Sequence, residues 1–310
     1  MMRAALMSLV SSLAIAATPP VPAVATVKPP PPPSRRNAAP APPPQSAPAG
    51  ALKKPKTPFP ADAECVAMGP TMSPLPFGPG EALQYDLDAM GARAGVMSIT
   101  TLPLRDGVLP IEISVETNTF FSKVRKVKAV ARTEVSPKTL RSQRYFEDAW
   151  ENDQHRIADV TMKNRVASLT NTINGRTYPT AQLPYGNDMS DVAGAVHLLR
   201  SIPVKEGQRL CFDVYGIRRV WRVWGTVQPR EHVSLPLGEF ETWHLQGEAA
   251  PLNLPDARRE VHVWVSDDAR RLPLAALGVM EFGAVRATLK GYSRPGEANT
   301  RAENKANIKW

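Results

Sequence analysis

Proline decides what the first fifth of this chain can become. Of its 32 prolines, 16 fall within residues 19–62, with unbroken runs at 29–33 and 42–44. Consecutive prolines fix φ and remove amide donors, so helix and sheet ladders are excluded and extended polyproline II is favoured. At roughly 3.1 Å per residue such a stretch reaches up to about 100 Å. Alanine, serine and lysine fill the gaps and supply no core. Residues 26–62 are therefore expected to form a proline-rich disordered linker, acting as a spacer or as a basic tether for anionic lipid or cell-wall polymer.

Ahead of the linker, residues 1–25 carry the three parts of a secretory leader. Arg3 supplies positive charge, residues 4–17 form an Ala/Leu-rich apolar run, and small residues offer cleavage after Ala17 or after Ala25. A membrane span needs roughly 20 apolar residues, more than this run provides. No cysteine stands near the cleavage region to carry a lipid. The expected product is exported to the periplasm or cell surface, with no transmembrane span in the mature chain.

The net charge of +9 is distributed just as unevenly: residues 1–62 hold +6 of it, leaving +3 for the rest. A nucleic-acid binder concentrates basic residues on its folded face. Here the excess sits on the arm, and no nucleic-acid partner is expected.

After residue 80 the pattern changes to strict alternation, the mark of half-buried strands. Leu83, Tyr85 and Leu87 alternate with Gln84, Asp86 and Asp88, and Ile111, Ile113 and Val115 alternate with Glu112, Ser114 and Glu116. Further on, Leu210, Phe212 and Val214 share one parity and Cys211, Asp213 and Tyr215 the other. Val261, Val263 and Val265 oppose His262 and Trp264, and Met280, Phe282 and Ala284 close the series. Asp106-Gly107, Asn174-Gly175, Gly216 and Asp267-Asp268 punctuate the strands; Asn-Gly is the strongest of these, because both residues tolerate the positive φ of a tight hairpin. One segment reads as a helix, near residues 190–201, with Ser190 as its cap and Pro203 as its stop. The expected fold is mainly β: a curved antiparallel sheet, half-barrel or barrel-like, forming a single domain over residues 63–293 with a polar tail over 294–310.

Several motifs in this region share an order and spacing with a known family. They are Phe77-Gly-Pro-Gly-Glu81 with Tyr85, Met90-Gly91 and Gly95; residues 188–200, ending in Leu-Arg; Leu237-Gly-Glu-Phe240 with Thr242; and Val263-Trp-Val-Ser-Asp-Asp-Ala-Arg-Arg-Leu-Pro273. Over residues 76–292 the chain resembles the bacterial exported family catalogued as domain of unknown function 3108. The resemblance implies an exported β-rich domain and brings no catalytic residues with it. The motifs also suit turns and a salt-bridged hairpin.

Cys65 and Cys211 are the only cysteines. In an oxidising compartment an even pair favours a disulfide, which would pin the incoming segment to the sheet. The five histidines show no metal-ligand spacing, although His244 and His262 fall where they could face each other across strands. No nucleophile elbow, Walker loop or dinucleotide fingerprint appears. Neither catalytic residues, nor a metal, nor a cofactor are expected, and the chain reads as no enzyme. Trp221, Trp224, Trp243 and Trp264 cluster in one half of the domain and are the candidate ligand-lining residues, since large rings on a concave sheet either fill a core or line a cavity. The leading expectation is a non-catalytic binding module for a lipid or other hydrophobic ligand. The alternative is a structural or assembly protein that docks an envelope partner through a sheet edge or the basic linker.

Overall fold

A computed structural model describes residues 58–65, 72–186, 189–280, 283–296 and 300–301. The leader expected over 1–25, the linker as far as Thr57 and the end of the tail lie outside the described residues.

The first half of the domain is an antiparallel meander. It comprises β1 (Ala82–Ala89), β2 (Ala92–Thr101), β3 (Leu109–Thr117), β4 (Val127–Val135), β5 (Ser142–Glu151), β6 (Gln154–Lys163) and β7 (Val166–Ile173), followed by the short β8 (Arg176–Thr177) and β9 (Ala181–Pro184). Next come β10 (Met189–Asp191) and the single helix α1 (Val192–Ser201). The second half holds β11 (Arg209–Gly216), β12 (Arg219–Val227), β13 (Glu231–Leu235), β14 (Gly238–Pro251), β15 (Arg259–Ser266), β16 (Pro273–Met280), β17 (Gly283–Ser293) and β18 (Thr300–Arg301).

β1 joins the two halves. It pairs with β2 on one side and β17 on the other, so Leu83 lies opposite both Ile99 and Tyr292. Pairing then runs without interruption from β9 through β7 and back to β1, and from β17 through β16, β15, β14 and β12 to β11. β10 adds to β11 in parallel, the exception in an otherwise antiparallel array. The sheet curves strongly but does not close into a barrel, because its two ends, β9 and β10, do not pair with each other. This is the mainly β, barrel-like fold with one helix that the alternation predicts.

The concave face closes over α1. Leu83, Ile99, Ile111, Val135, Leu210, Leu245, Leu274 and Leu289 come from strands on both halves and meet Ala193, Leu198 and Ile202 from the helix. Each fully buried Leu or Ile contributes about 1.5–3 kcal/mol, so the helix plugs the curved sheet and helps hold its halves together. Between β12 and β14, Gly225 stands opposite Gly247. A Cβ on either would come within 2.5 Å of a carbonyl oxygen on the facing strand, a separation no side chain tolerates.

The structure corrects two local readings, the helix cap and one strand. The helix cap is Asp191, not Ser190: its carboxylate accepts from the amides of Ala193 (2.8 Å) and Gly194 (3.2 Å). Ser190 instead meets Ser142 Oγ and donates to the Leu140 carbonyl, both at 3.1 Å. Of the alternating set 280, 282 and 284, Phe282 lies outside the described residues, and Met280 pairs with Gly283 across β16 and β17, so the set is not one strand. In the tail, Thr300 and Arg301 fold back to pair with Tyr292 and Gly291.

Candidate functional site: a cleft beside the open sheet edge

Where the sheet fails to close, two cavities meet. β9 is the end strand and bonds only to β7 among the described residues. Across from it stand the hairpin tip joining β11 to β12 and the connection from β14 to β15. One cavity, of about 690 Å³, lies between Leu183, Tyr185, Val220 and Leu252, with Phe59 and Asp62 on its wall. The other, of about 620 Å³, lies against Leu169, Asn171, Ile217, Trp221 and Pro251. Leu183, Arg218 and Arg219 line both. The floor is a second apolar cluster in which Tyr145, Val160 and Leu169 of the meander pack against Tyr215 and Val220.

Charge in the cleft is mostly basic and mostly engaged. Arg125 pairs with Glu151 at the rim. Arg259 lies over the Trp221 ring at 5.6 Å and donates from Nη1 to the Val279 carbonyl. Beneath, Tyr145 donates to Glu147 at 2.5 Å. Burial first and Glu147 second push the Tyr145 hydroxyl well above the ordinary phenol range, and the same two causes raise Tyr215. Both phenols therefore stay protonated. The side chains of Arg218 and Arg219, at the exposed tip, show no hydrogen bond or close ion pair among the described residues, although the charges of Glu151 and Glu147 reach Arg218. Partial burial, and then the charge of Arg156, hold the Arg218 pKa below the usual guanidinium value against the pull of Glu151 and Glu147.

One wall is the segment that enters the domain. Cys65 is bonded to Cys211, with their Cα atoms 4.7 Å apart, and pins residues 58–65 to the outer face of β11 and β12. Arg222, only 2% exposed, organises this segment. It grips Asp213 through Nε (2.9 Å) and Nη2 (3.2 Å), and donates to the Pro60 carbonyl (2.8 Å) and to Asp62 (2.5 Å). Burial opposes its charge, but the two carboxylates prevail and raise its pKa. Phe59 sits edge-on to Trp224 at 5.3 Å. Residues 58–62, read from sequence as the linker's end, thus belong to the packed surface.

The four tryptophans do not share one site. Trp221 lines the cavity of about 620 Å³. Trp224 is buried under Phe59 on the opposite face of β12. Trp243 packs against the core, donates to Asp267 at 2.6 Å and borders a void of only about 20 Å³. Trp264 stacks on His244 at 4.4 Å, and His244 Nε2 meets His262 Nδ1 at 2.8 Å, so these two histidines do face each other across β14 and β15. Sequence reasoning missed the Arg218–Arg219 cleft. Its one local signal was Gly216, read only as a turn, because the two residues after it lack ordinary turn chemistry.

The motifs noted in the sequence converge elsewhere, on Arg200. This side chain is fully buried and forks onto Glu81, with Nη2 to Oε2 at 3.0 Å. It also donates to the carbonyls of Arg271 (2.9 Å) and Arg270 (3.1 Å), and its guanidinium lies 5.1 Å from the Phe77 ring. Tyr85 adds a bond from its hydroxyl to the Pro273 carbonyl at 2.9 Å. Three motif segments are thus clamped around one arginine at the helix end, a structural hub.

A curved antiparallel sheet, open along one edge and plugged by a single helix, defines the class: a barrel-like β protein. Within that class, the chain belongs to the family described as a protein of unknown function, DUF3108, which matches residues 84–290. Among curated proteins, none matches it. Among solved structures, a β-barrel-like protein of domain of unknown function DUF1849 from Brucella abortus is similar in fold. The TM-score is 0.50 at 9% identity, covering 73% of this chain and 99% of that one. An exported protein with a YmcC-like fold from Bacteroides fragilis matches more loosely, with a TM-score of 0.29 at 10% identity over 74% of this chain and 100% of its own. A lipoprotein from Parabacteroides distasonis scores 0.30 at 9% identity, over 72% and 99%.

Proposed function

We propose that this protein is an exported binding module that takes up an apolar or amphipathic ligand in the cleft beside β9. The observation that carries the reading is the meeting of two cavities, of about 690 and 620 Å³, at Leu183, Arg218 and Arg219. Each falls within the range of roughly 300–1,000 Å³ typical of small-molecule sites; the larger has mainly apolar walls, and the other mixes apolar residues with Arg125, Glu151, Asn171 and Arg259. Of the two roles open to the rings, core or cavity, Trp243 borders a filled interior and Trp221 the cleft at the seam. Export is supported by the leader-like residues 1–25 and by a disulfide of the kind that persists in oxidising compartments. Docking of a partner strand on β9 is less favoured, because Pro184 removes a donor from that edge.

The test is organic extraction of protein purified from a bacterial envelope, followed by mass spectrometry, with Leu183→Glu as comparison. Recovery of an apolar molecule from the parent and its loss from the variant is the expected result. Nothing extracted from either protein, together with no uptake of an added apolar dye, would sink the reading.

A further inference from the structure

We infer that the cleft selects an amphiphile with an anionic head, a carboxylate or a phosphate, gripped by Arg218 and Arg219, while its chain lies along Leu169, Leu183 and Trp221. This rests on the proposed cleft reading and adds the chemistry of the ligand. Three independent observations support it.

The first is the contrast among the arginines. Arg125, Arg222 and Arg259 are held by short contacts to protein groups, whereas the Arg218 and Arg219 side chains make none among the described residues, and these two stand on the wall both cavities share. A planar guanidinium matches two oxygens of a carboxylate or phosphate, and a charged pair of this kind is about twice as strong as a neutral hydrogen bond.

The second is charge left over below the tip. Arg156 is 8% exposed, bonds through Nη2 to Gln154, and has no partner for its buried Nε. Its charge reaches Arg218. Glu147 and Glu151 attract Arg218 from a distance, but their short contacts are to Tyr145 and Arg125, so neither grips the tip directly. Asn171, on the cavity wall, has a buried Oδ1 without a donor, available to a hydroxyl or amide next to the head.

The third is the backbone that carries the tip. Ile217 and Arg218 both have positive φ, +49° and +61°. Three other tight turns begin with Met90, Asp106 or Asn174 and continue with glycine; Asn164-Arg165 shares the double positive φ and an arginine in second place, but its first residue is an asparagine, and Ile217 is the one β-branched residue with positive φ among the described residues. A β-branched residue is a true outlier there, because its branched Cβ crowds the backbone. Asn-Gly would relieve that strain, so Ile217 stands at the tip against local preference. Strain of this kind concentrates at ligand sites.

The experiment uses the full-length oxidised protein loaded with N-phenyl-1-naphthylamine, an uncharged apolar dye, and challenged with four competitors. Dodecanoate and dodecyl phosphate are expected to displace the dye about tenfold more tightly than dodecanol, with inorganic phosphate inert. Arg218→Gln with Arg219→Gln should bring the charged amphiphiles down to the level of dodecanol and leave dodecanol itself unchanged. Replacing the tip by Ile217→Asn and Arg218→Gly should raise the thermal midpoint while weakening the preference for charge, which separates ligand loss from misfolding. Equal competition by dodecanol and dodecanoate, unaffected by the arginine variants, would overturn this inference and leave the cleft reading intact. Displacement by inorganic phosphate as effective as by dodecyl phosphate would show a free-anion site and overturn the amphiphile. Failure of the dye to bind at all would remove the cleft reading beneath both.

Discussion

Arg200 and His197 lie one helical turn apart and solve opposite electrostatic problems. Arg200 keeps its charge in a dry core because Glu81 and two backbone carbonyls surround it. Taking both ions out of water costs much of what their attraction returns, so the pair adds specificity more than stability. Removing one partner is different, since it strands the other charge. Glu81→Gln is expected to cost about 3–5 kcal/mol in urea unfolding. His197 stays neutral instead. Its Nδ1 meets the Ala193 carbonyl at 2.9 Å, its Nε2 meets Thr101 Oγ1 at 3.2 Å, and its ring stands edge-on to Phe77. Burial, and then the charge of Arg200, lower its pKa to about 3. A histidine with a lowered pKa binds its proton more readily when unfolded, so stability falls as pH drops from about 6.5 towards 3, by about 1.4 kcal/mol per unit. Denaturation at pH 6.5 and pH 4 should differ by about 3 kcal/mol from this group, and His197→Gln should flatten the slope. Asp191 acts in the other sense: burial raises its pKa against the pull of Ser142, Thr133 and the helix amides, so its contribution declines as pH rises. It is present in both proteins, so their difference isolates His197. Equal slopes would contradict the buried neutral imidazole.

Among the elements, those legible in sequence were the ones with a single wet face. β1 and β3 alternate cleanly because their outer residues are polar, and α1 was legible from its stripe and the proline that stops it. β4 and β5 were harder to read. Val130, Phe146 and Trp150 point to solvent there, with Trp150 stacked on His155 at 4.5 Å, so apolar residues appear on both parities and blur the period. The cysteine pair was legible because composition alone favours it. The cleft was not, because it depends on β9 and the β11–β12 tip, far apart in sequence, failing to pair. The entering segment shows where sequence composition misplaced a boundary: prolines continue to Pro60, yet packing begins by Phe59. Deleting residues 26–57 is therefore expected to leave the thermal midpoint within about 1 °C, since surface changes away from packed features seldom exceed about 0.5 kcal/mol. Cys211→Ser should lower stability by about 2–5 kcal/mol, because the bridge closes a separation of 146 residues. Equal midpoints for parent and Cys211→Ser in oxidised protein would show that Arg222, Asp213 and Asp62 hold the segment unaided.

For the whole molecule, the point of attachment matters most. The chain enters the domain at the wall of the cavity of about 690 Å³, where Phe59 and Asp62 face Arg222 across the disulfide-bonded segment. Whatever holds the mature N-terminus is therefore connected through the linker directly to the mouth of the cleft. On the proposal that the protein is exported and residues 26–57 form an extended tether, that tether would reach up to about 100 Å and its basic residues would favour an anionic surface. That arrangement requires the leader to be removed, because an intact apolar run would compete with the surface for the same end of the chain. Cleavage is expected before Leu52, with the new terminus at or near Thr18 or Thr26, following the small residues that end the apolar run. Mass spectrometry of the N-terminal peptide from envelope and cytosolic fractions checks this. A mature terminus at either position, found only outside the cytosol, is the expected outcome, and an intact Met1 in the envelope fraction would refute cleavage and make the leader itself the anchor.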